Sequence, residues 1–175
     1  MVLYYFDASA LVKYYIREPG TTWVRALMDT SAPGGILRVN RVFISEASIA
    51  ECAAAFAVLH RTQRISRHAR DVAFRACMKH IATGLLGAIP VVTADFHTAA
   101  HLTLRHPLKA YDAVQLAVAL RHSRALAALH LTLTFVSGDD TLLNAAQAEG
   151  LLTDNPFDHI APHDIPQQHP PTDSG

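Results

Sequence analysis

Val2-Leu3-Tyr4-Tyr5-Phe6-Asp7-Ala8-Ser9-Ala10-Leu11-Val12 opens the chain with an apolar run, one acid, and a second apolar run. The first five residues are continuously apolar, which predicts a strand buried on both faces. Ser9 predicts the cap of a helix from Ala10 to about Arg17, stopped by Pro19-Gly20. Asp7 stands where the strand hands over to the helix. A carboxylate beside core-type segments is costly unless its charge is compensated.

The same alternation continues along the chain. Thr21 or Thr22 predicts the cap of a second helix carrying Trp23, Leu27 and Met28, and Ser31 to Gly35 reads as a turn. Ile36 to Ile44 has strand character. Ser45 or Ser48 then starts a long helix whose core face is Ile49, Cys52, Phe56 and Leu59. Ser66 predicts the cap of a helix through Val72, Phe74 and Met78 to about Leu85. Ile89 to Val92 reads as a short strand, followed by a helix capped by Thr93 or Asp95. Pro107 marks the break before a helix from about Lys109 to Arg121. Leu131 to Val136 is the last strong strand, and Asp139 or Asp140 begins a helix closed by Gly150. Strands alternating with helices predict an α/β fold with a largely parallel sheet and helices on both faces. After residue 155 the composition turns to Pro, Gln, His and Asp, which predicts one domain over 1–155 and a disordered tail over 156–175.

Asp7 is one of four acids in apolar or small-residue surroundings. Glu51 lies in Ser48-Ile49-Ala50-Glu51-Cys52-Ala53, Asp112 opens Tyr111-Asp112-Ala113-Val114-Gln115-Leu116-Ala117, and Asp139 follows the run ending Phe135-Val136-Ser137-Gly138. Each has a plain reading, as an N-cap for Asp7 and Asp139 and as a solvated helix flank for Glu51 and Asp112. Helical spacing, however, sets Ser48, Glu51 and Ala55 on one flank, and Asp112, Gln115 and Ala119 on another. Each acid thus borders a buried face. Ligands of parallel sheets bind beyond the carboxyl ends of the strands, where Asp7 and Asp139 are expected. If the four converge, their mutual repulsion favours a divalent cation, and oxygen-only ligands select Mg²⁺ or Mn²⁺ over zinc.

Composition sets the outer limits. Of 175 residues, half are hydrophobic and 17% charged, as in a single globular domain. Fifteen Lys and Arg balance fifteen Asp and Glu, so a general polyanion-binding character is not supported, and any affinity for phosphates must be local. Arg61, Arg64, Arg67 and Arg70, with His60 and His68, form such a local basic stretch, read either as a solvated face or as phosphate contacts. Cys52 and Cys77 sit in apolar helical contexts, as buried free thiols do. The eleven histidines include no zinc-ligand spacing. No apolar stretch is long enough to cross a bilayer, and the chain is expected to be soluble and cytoplasmic.

Four segments in order resemble the PIN-domain ribonucleases, in particular the VapC toxins of bacterial toxin–antitoxin pairs. They are Phe6-Asp7-Ala8-Ser9-Ala10-Leu11-Val12 with Glu18-Pro19-Gly20, Ile44-Ser45 running to Ala50-Glu51-Cys52-Ala53-Ala54, Leu108-Lys109-Ala110-Tyr111-Asp112-Ala113-Val114-Gln115-Leu116-Ala117, and Phe135-Val136-Ser137-Gly138-Asp139-Asp140-Thr141-Leu142-Leu143. The resemblance spans about residues 2–155. It implies an α/β/α sandwich with a central, mainly parallel sheet and an acidic metal pocket. Asp7, Glu51, Asp112 and Asp139 fall on the family's catalytic and metal-binding acids, and Ser9 on its hydroxyl position. Gly138 stands where Ala is more usual, and Asp140 directly follows Asp139, so the register between those two acids is open. Glu46, in Ser45-Glu46-Ala47, does not match the motif, and Asp95, in Thr93-Ala94-Asp95, mimics the last motif but precedes the Tyr111-Asp112 helix and reads as a cap.

The resemblance implies an endoribonuclease using Mg²⁺, with Mn²⁺ as substitute, and Ser9, with Arg61, Arg64 and Arg67 of the basic stretch, are the candidate RNA contacts. It also implies a homodimer and a cognate antitoxin. The antitoxin's flanking helix would need an apolar groove, for which Tyr14, Tyr15, Trp23 and Leu27 are candidates beside ordinary core packing. The competing readings are an RNA-processing PIN nuclease without antitoxin, a receiver-like signalling module, a haloacid-dehalogenase-type phosphatase and a degenerate binding fold. A receiver would want an adjacent acid pair after the first strand and a Lys after the last, and the phosphatase would want an acid where Ser9 stands.

Overall fold

The computed structural model describes residues 2–31 and 38–160. Five parallel strands form one sheet, in the order β3-β2-β1-β4-β5. They are β1 (Val2–Phe6), β2 (Asn40–Ser45), β3 (Leu86–Ile89), β4 (Leu133–Val136) and β5 (Leu152–Asp154). Seven α-helices connect them among the described residues: α1 (Ala8–Tyr15), α2 (Thr21–Asp29), α3 (Ala47–Arg61), α4 (Arg67–Ala82), α5 (Thr93–Arg105), α6 (Ala110–Ala127) and α7 (Asp140–Ala148).

Side chains of β1 alternate between two cores, as the period of a strand requires. Phe6 points into a core shared with α1, α2, α3 and α4. Leu3 and Tyr5 point the other way, to α5, α6 and α7, where Tyr5 stacks on Phe135 with centroids 5.4 Å apart. The result is the expected α/β/α sandwich. The strand order reverses between β1 and β4, which pair in parallel with Phe6 opposite Val136. Crossovers leave opposite faces of the sheet at such a point and open a crevice at the strand ends. Asp7 is the first residue past β1, and Asp139 the third past β4.

Several boundaries differ from the sequence reading. The α1 cap is Asp7, whose carboxylate accepts the Ala10 N–H at 2.9 Å, so Ser9 lies inside the first turn. Helix α2 starts after Gly20, at φ +85°, with Thr21 already helical. Helix α3 starts after Glu46, with the Ser45 hydroxyl accepting the Ala47 N–H. Strand β3 meets the expected Ile89–Val92 run only at Ile89, and β5 was not anticipated. The expected turn at Ser31 to Gly35 and the start of the Ile36 strand lie largely outside the described residues.

The tail also begins differently. Pro156–Asp158 form a 3-10 turn, and His159 stacks on Trp23 with centroids 4.2 Å apart. These residues pack on the domain, and residues 161–175 lie outside those described. Among the described residues, no helix is long and apolar enough to cross a membrane.

Candidate active site

Asp7, Glu51, Asp112 and Asp139 line one cavity of ≈ 540 Å³ together with Ser9, Lys13, Glu18, Gly138 and Phe157. Four elements deliver the acids: the end of β1, the second turn of α3, the first turn of α6, and the turn entering α7. Asp140, exposed and accepting a hydrogen bond from Asn155, does not line this cavity, so Asp139 is the acid that faces it. Glu46 is exposed and lies outside the cavity.

Asp7 is buried, and its oxygens are fixed by named donors. Oδ1 accepts from Ser9 Oγ at 2.8 Å and from Ala10 N at 2.9 Å, while Oδ2 accepts from Ser137 Oγ at 2.9 Å. Each carboxylate oxygen has two acceptor sites, so Oδ1 is filled and Oδ2 keeps one free. Burial pushes the Asp7 carboxyl above its ordinary value, and these hydrogen bonds act against the rise. Ser9 donates its O–H to Asp7 and accepts the Gly138 N–H at 2.8 Å, so it orients the carboxylate and the β4–α7 turn.

Glu51 is positioned by Gln115. The Gln115 amide donates to Glu51 Oε2 and, at 2.8 Å, to Ser48 Oγ, while its carbonyl accepts from Tyr5 OH at 2.7 Å. Gln115 is 1% exposed, so this network fixes the rotamer of an otherwise mobile glutamate. Burial raises the Glu51 carboxyl, the Gln115 bond opposes this, and the charges of Asp7 and Asp112 raise it further. Asp112 is raised by burial and then by the charge of Asp139. The acids are therefore linked by repulsion from Asp7 through Glu51 and Asp112 to Asp139. Asp139 also caps α7, accepting the N–H of Thr141 at 2.8 Å and of Leu142 at 3.2 Å.

Other expected residues fall elsewhere. Arg64 pairs with Glu18 at 3.5 Å and so reaches the cavity rim indirectly. Arg70 pairs with Asp71 at 2.6 Å and Arg67 with the same acid at 4.0 Å. Neither these two nor Arg61 line the cavity. Trp23 and Leu27 are core residues, 4% exposed each, which removes them as a groove. Tyr14 and Tyr15 are half-buried and pack on His80. Asp95 is buried in a two-point ion pair with Arg121, away from the site.

The sequence reading missed four contributors: Ser137, Lys13, Glu18 and Phe157. Lys13 had a signal, being the single charge in Leu11-Val12-Lys13-Tyr14-Tyr15; it is 3% exposed and pairs with Glu18 at 3.5 Å. Among the described residues, no three His, Cys, Asp or Glu side chains stand close enough together to form a ready-made metal cage.

The PIN domain model matches residues 4–146. Solved structures with the same fold include PAE2754 from Pyrobaculum aerophilum, 18% identical, with TM-score 0.55 over 87% of this chain and 83% of that one. Mycobacterium tuberculosis VapC20, described as a sarcin-ricin-loop-cleaving toxin, is 15% identical, with TM-score 0.54 over 85% of this chain and 96% of its own. FitAB bound to an IR36 DNA fragment is 17% identical, with TM-score 0.50 over 95% of this chain and 99% of that one. No curated protein matches the sequence significantly. With the model match running from β1 into α7 and so across all four acids, the chain belongs to the PIN domain family.

Proposed function

We propose that this chain is a divalent-metal-dependent endoribonuclease that hydrolyses RNA phosphodiester bonds as the toxin of a toxin–antitoxin pair. The observation that carries this reading is the lining of one cavity at the sheet's switch point by Asp7, Glu51, Asp112 and Asp139. The residues fit a hard cation: the donors are all oxygen, like-charge repulsion links them, and Asp7 Oδ2 keeps a free acceptor site. Mg²⁺ characteristically takes one or two carboxylates and keeps its waters, so a preformed cage is not required. Asp7 and Asp112 would hold the ion, with Glu51 and Asp139 beside them. When bound, such an ion lowers the pKa of water and neutralises charge on the phosphodiester.

The protein's own groups supply the rest. Glu51, with its raised carboxyl and its orientation fixed by Gln115, suits proton uptake from the attacking water. Ser9 and Ser137 keep Asp7 in one rotamer. Arg64, joined to the rim through Glu18, with Arg61 and Arg67 further out, is proposed to meet the RNA backbone.

The toxin assignment rests on the ordered VapC-like motifs together with family membership. It implies cytoplasmic action, a homodimer, and products with 5′-phosphate and 3′-hydroxyl ends. It also implies an antitoxin that places an Arg or Lys among the carboxylates. Beside the acids, the exposed Val58 and the half-buried Ala55 are the apolar residues open to a flanking partner segment, and they replace the groove expected from Trp23 and Leu27.

Expression in the native host tests this assignment. Wild type alone should arrest growth, Asp7→Asn should not, and the product of the neighbouring gene should relieve the arrest. If wild type and Asp7→Asn are equally harmless, the toxin reading fails and a processing nuclease without antitoxin replaces it.

A further inference from the structure

Phe157 follows directly on the point where the sequence reads as tail, yet its ring lines the carboxylate cavity and is 44% exposed. The Lys13 ammonium lies 3.9 Å from the ring centroid. The ring edge rests on Gly138, where a Cβ would come within 3.0 Å of Cε2. Beside it, Gly20 at φ +85° receives Pro156, and a Cβ there would meet the Pro156 carbonyl oxygen at 2.5 Å. The residues around Phe157 are clamped as well. Asn155 Oδ1 accepts the Phe157 N–H at 3.0 Å, and His159 both stacks on Trp23 and lies 2.6 Å from Asp154 Oδ1.

Two turns of the chain therefore lack side chains where this segment seats, and its neighbours are locked, while Phe157, with the Lys13 ammonium over its ring, stays partly exposed at the cavity. A fixed aromatic surface beside a phosphodiester-cleaving pocket matches what single-strand binders use to stack a base. Lys13, paired with Glu18 at 3.5 Å, steadies the ring.

We propose that Phe157 is the stacking platform for an unpaired nucleobase of the RNA next to the scissile phosphate. This deepens the ribonuclease reading and rests on it. The contact requires an unpaired base, because bases inside a duplex have no free face to offer. Gly138 suits this seat, since an added methyl would crowd the ring.

The test is fluorescence anisotropy of full-length protein with a labelled single-stranded RNA of mixed sequence, in EDTA to prevent cleavage. Phe157→Leu should weaken binding about tenfold, and Phe157→Trp should stay within about twofold of wild type, as expected for a lost and a retained stacking face. Gly138→Ala, which crowds the ring without removing it, should weaken binding in the same direction. The same RNA annealed to its complement should show no dependence on residue 157. Wild-type affinity in Phe157→Leu, equal weakness in Phe157→Trp, or no binding by wild type would overturn the platform. Cleavage assays with Mg²⁺ on the same proteins separate the two readings. Cleavage with binding indifferent to residue 157 removes the platform alone, and binding that depends on residue 157 without cleavage removes the nuclease alone.

Discussion

Ser137 Oγ donates to Asp7 Oδ2 across 2.9 Å, joining residues 130 positions apart at the switch point of the sheet. The same hydroxyl accepts the Asp139 N–H at 3.0 Å, so one atom ties together the two acidic strand ends. Ser137→Ala should leave the fold intact and reduce kcat/KM by roughly 10- to 100-fold, the usual cost of losing a residue that orients a metal-binding carboxylate. Losing this donor also lifts the Asp7 carboxyl further, so the acid limb of the pH–rate profile should move to higher pH. An unchanged acid limb would remove Ser137 from this role.

Asp7→Asn and Asp112→Asn should abolish cleavage, by roughly 100-fold or more, while raising stability without metal. Burial lifts both carboxyls above their ordinary values. Between the unfolded and folded pKa values the native state binds more protons, so stability is complete below the unfolded pKa, near ~3.9, and is lost as pH rises through the folded one. In EDTA at neutral pH each variant should melt a few degrees above wild type, about 2–6 °C, with the gap narrowing toward acid pH. Melting below wild type at neutral pH would contradict the repulsive pocket.

Asp95 is an acid with a structural role, away from the cavity. It is 2% exposed and accepts from Arg121 at 2.8 and 3.0 Å and from the Val92 N–H at 2.9 Å. Burial works to raise its carboxyl, but the Arg121 and Val92 hydrogen bonds outweigh it and hold the group below its ordinary value. Its contribution to stability is therefore present above the unfolded pKa and lost as pH falls through the folded one. Asp95→Ala should cost about 2–3 kcal/mol, less than a wholly buried pair because the Arg121 side chain is 39% exposed. Denaturant melts should show that loss, while the folded fraction cleaves at the wild-type rate.

Deleting residues 161–175 should leave both melting temperature and cleavage unchanged, because that stretch is rich in Pro, Gln and His and offers little to a core. Deleting from Pro156 onward should impair both, since Phe157 lines the cavity and His159 stacks on Trp23. Equal behaviour of the two truncations would place the domain boundary back at residue 155.

The fold was legible where local pattern and tertiary demand agree. Strand β1 reads to the residue because its apolar run ends on an acid. Strand β3 does not. The β-branched Val91 and Val92 draw the eye, whereas the strand is Leu86-Gly87-Ala88-Ile89, of low intrinsic propensity. It exists because β2 needs a neighbour, and Gly87 leaves room for the Phe43 ring, which an added Cβ would meet at 2.6 Å. Strand β5 is three residues at an edge and leaves almost no pattern.

Within the site, the acids stood out by context, and Ser48 and Gln115 by their three-residue spacing from Glu51 and Asp112. Ser137 and Phe157 could not be read the same way. A serine in a turn and a phenylalanine in a proline-rich tail acquire meaning only when β4 lies beside β1 and the last turn folds back on α2.

If Asp7, Glu51, Asp112 and Asp139 support RNA hydrolysis through a divalent cation, cleavage must depend on that cation. The decisive experiment is cleavage of total cellular RNA by the purified full-length protein with Mg²⁺, with Mn²⁺ and with excess EDTA, with the product ends mapped. Cleavage is expected at single-stranded sites with either metal, leaving 5′-phosphate and 3′-hydroxyl ends, and none in EDTA. Cleavage that persists undiminished in EDTA, or that Asp7→Asn performs as well as wild type, would contradict it.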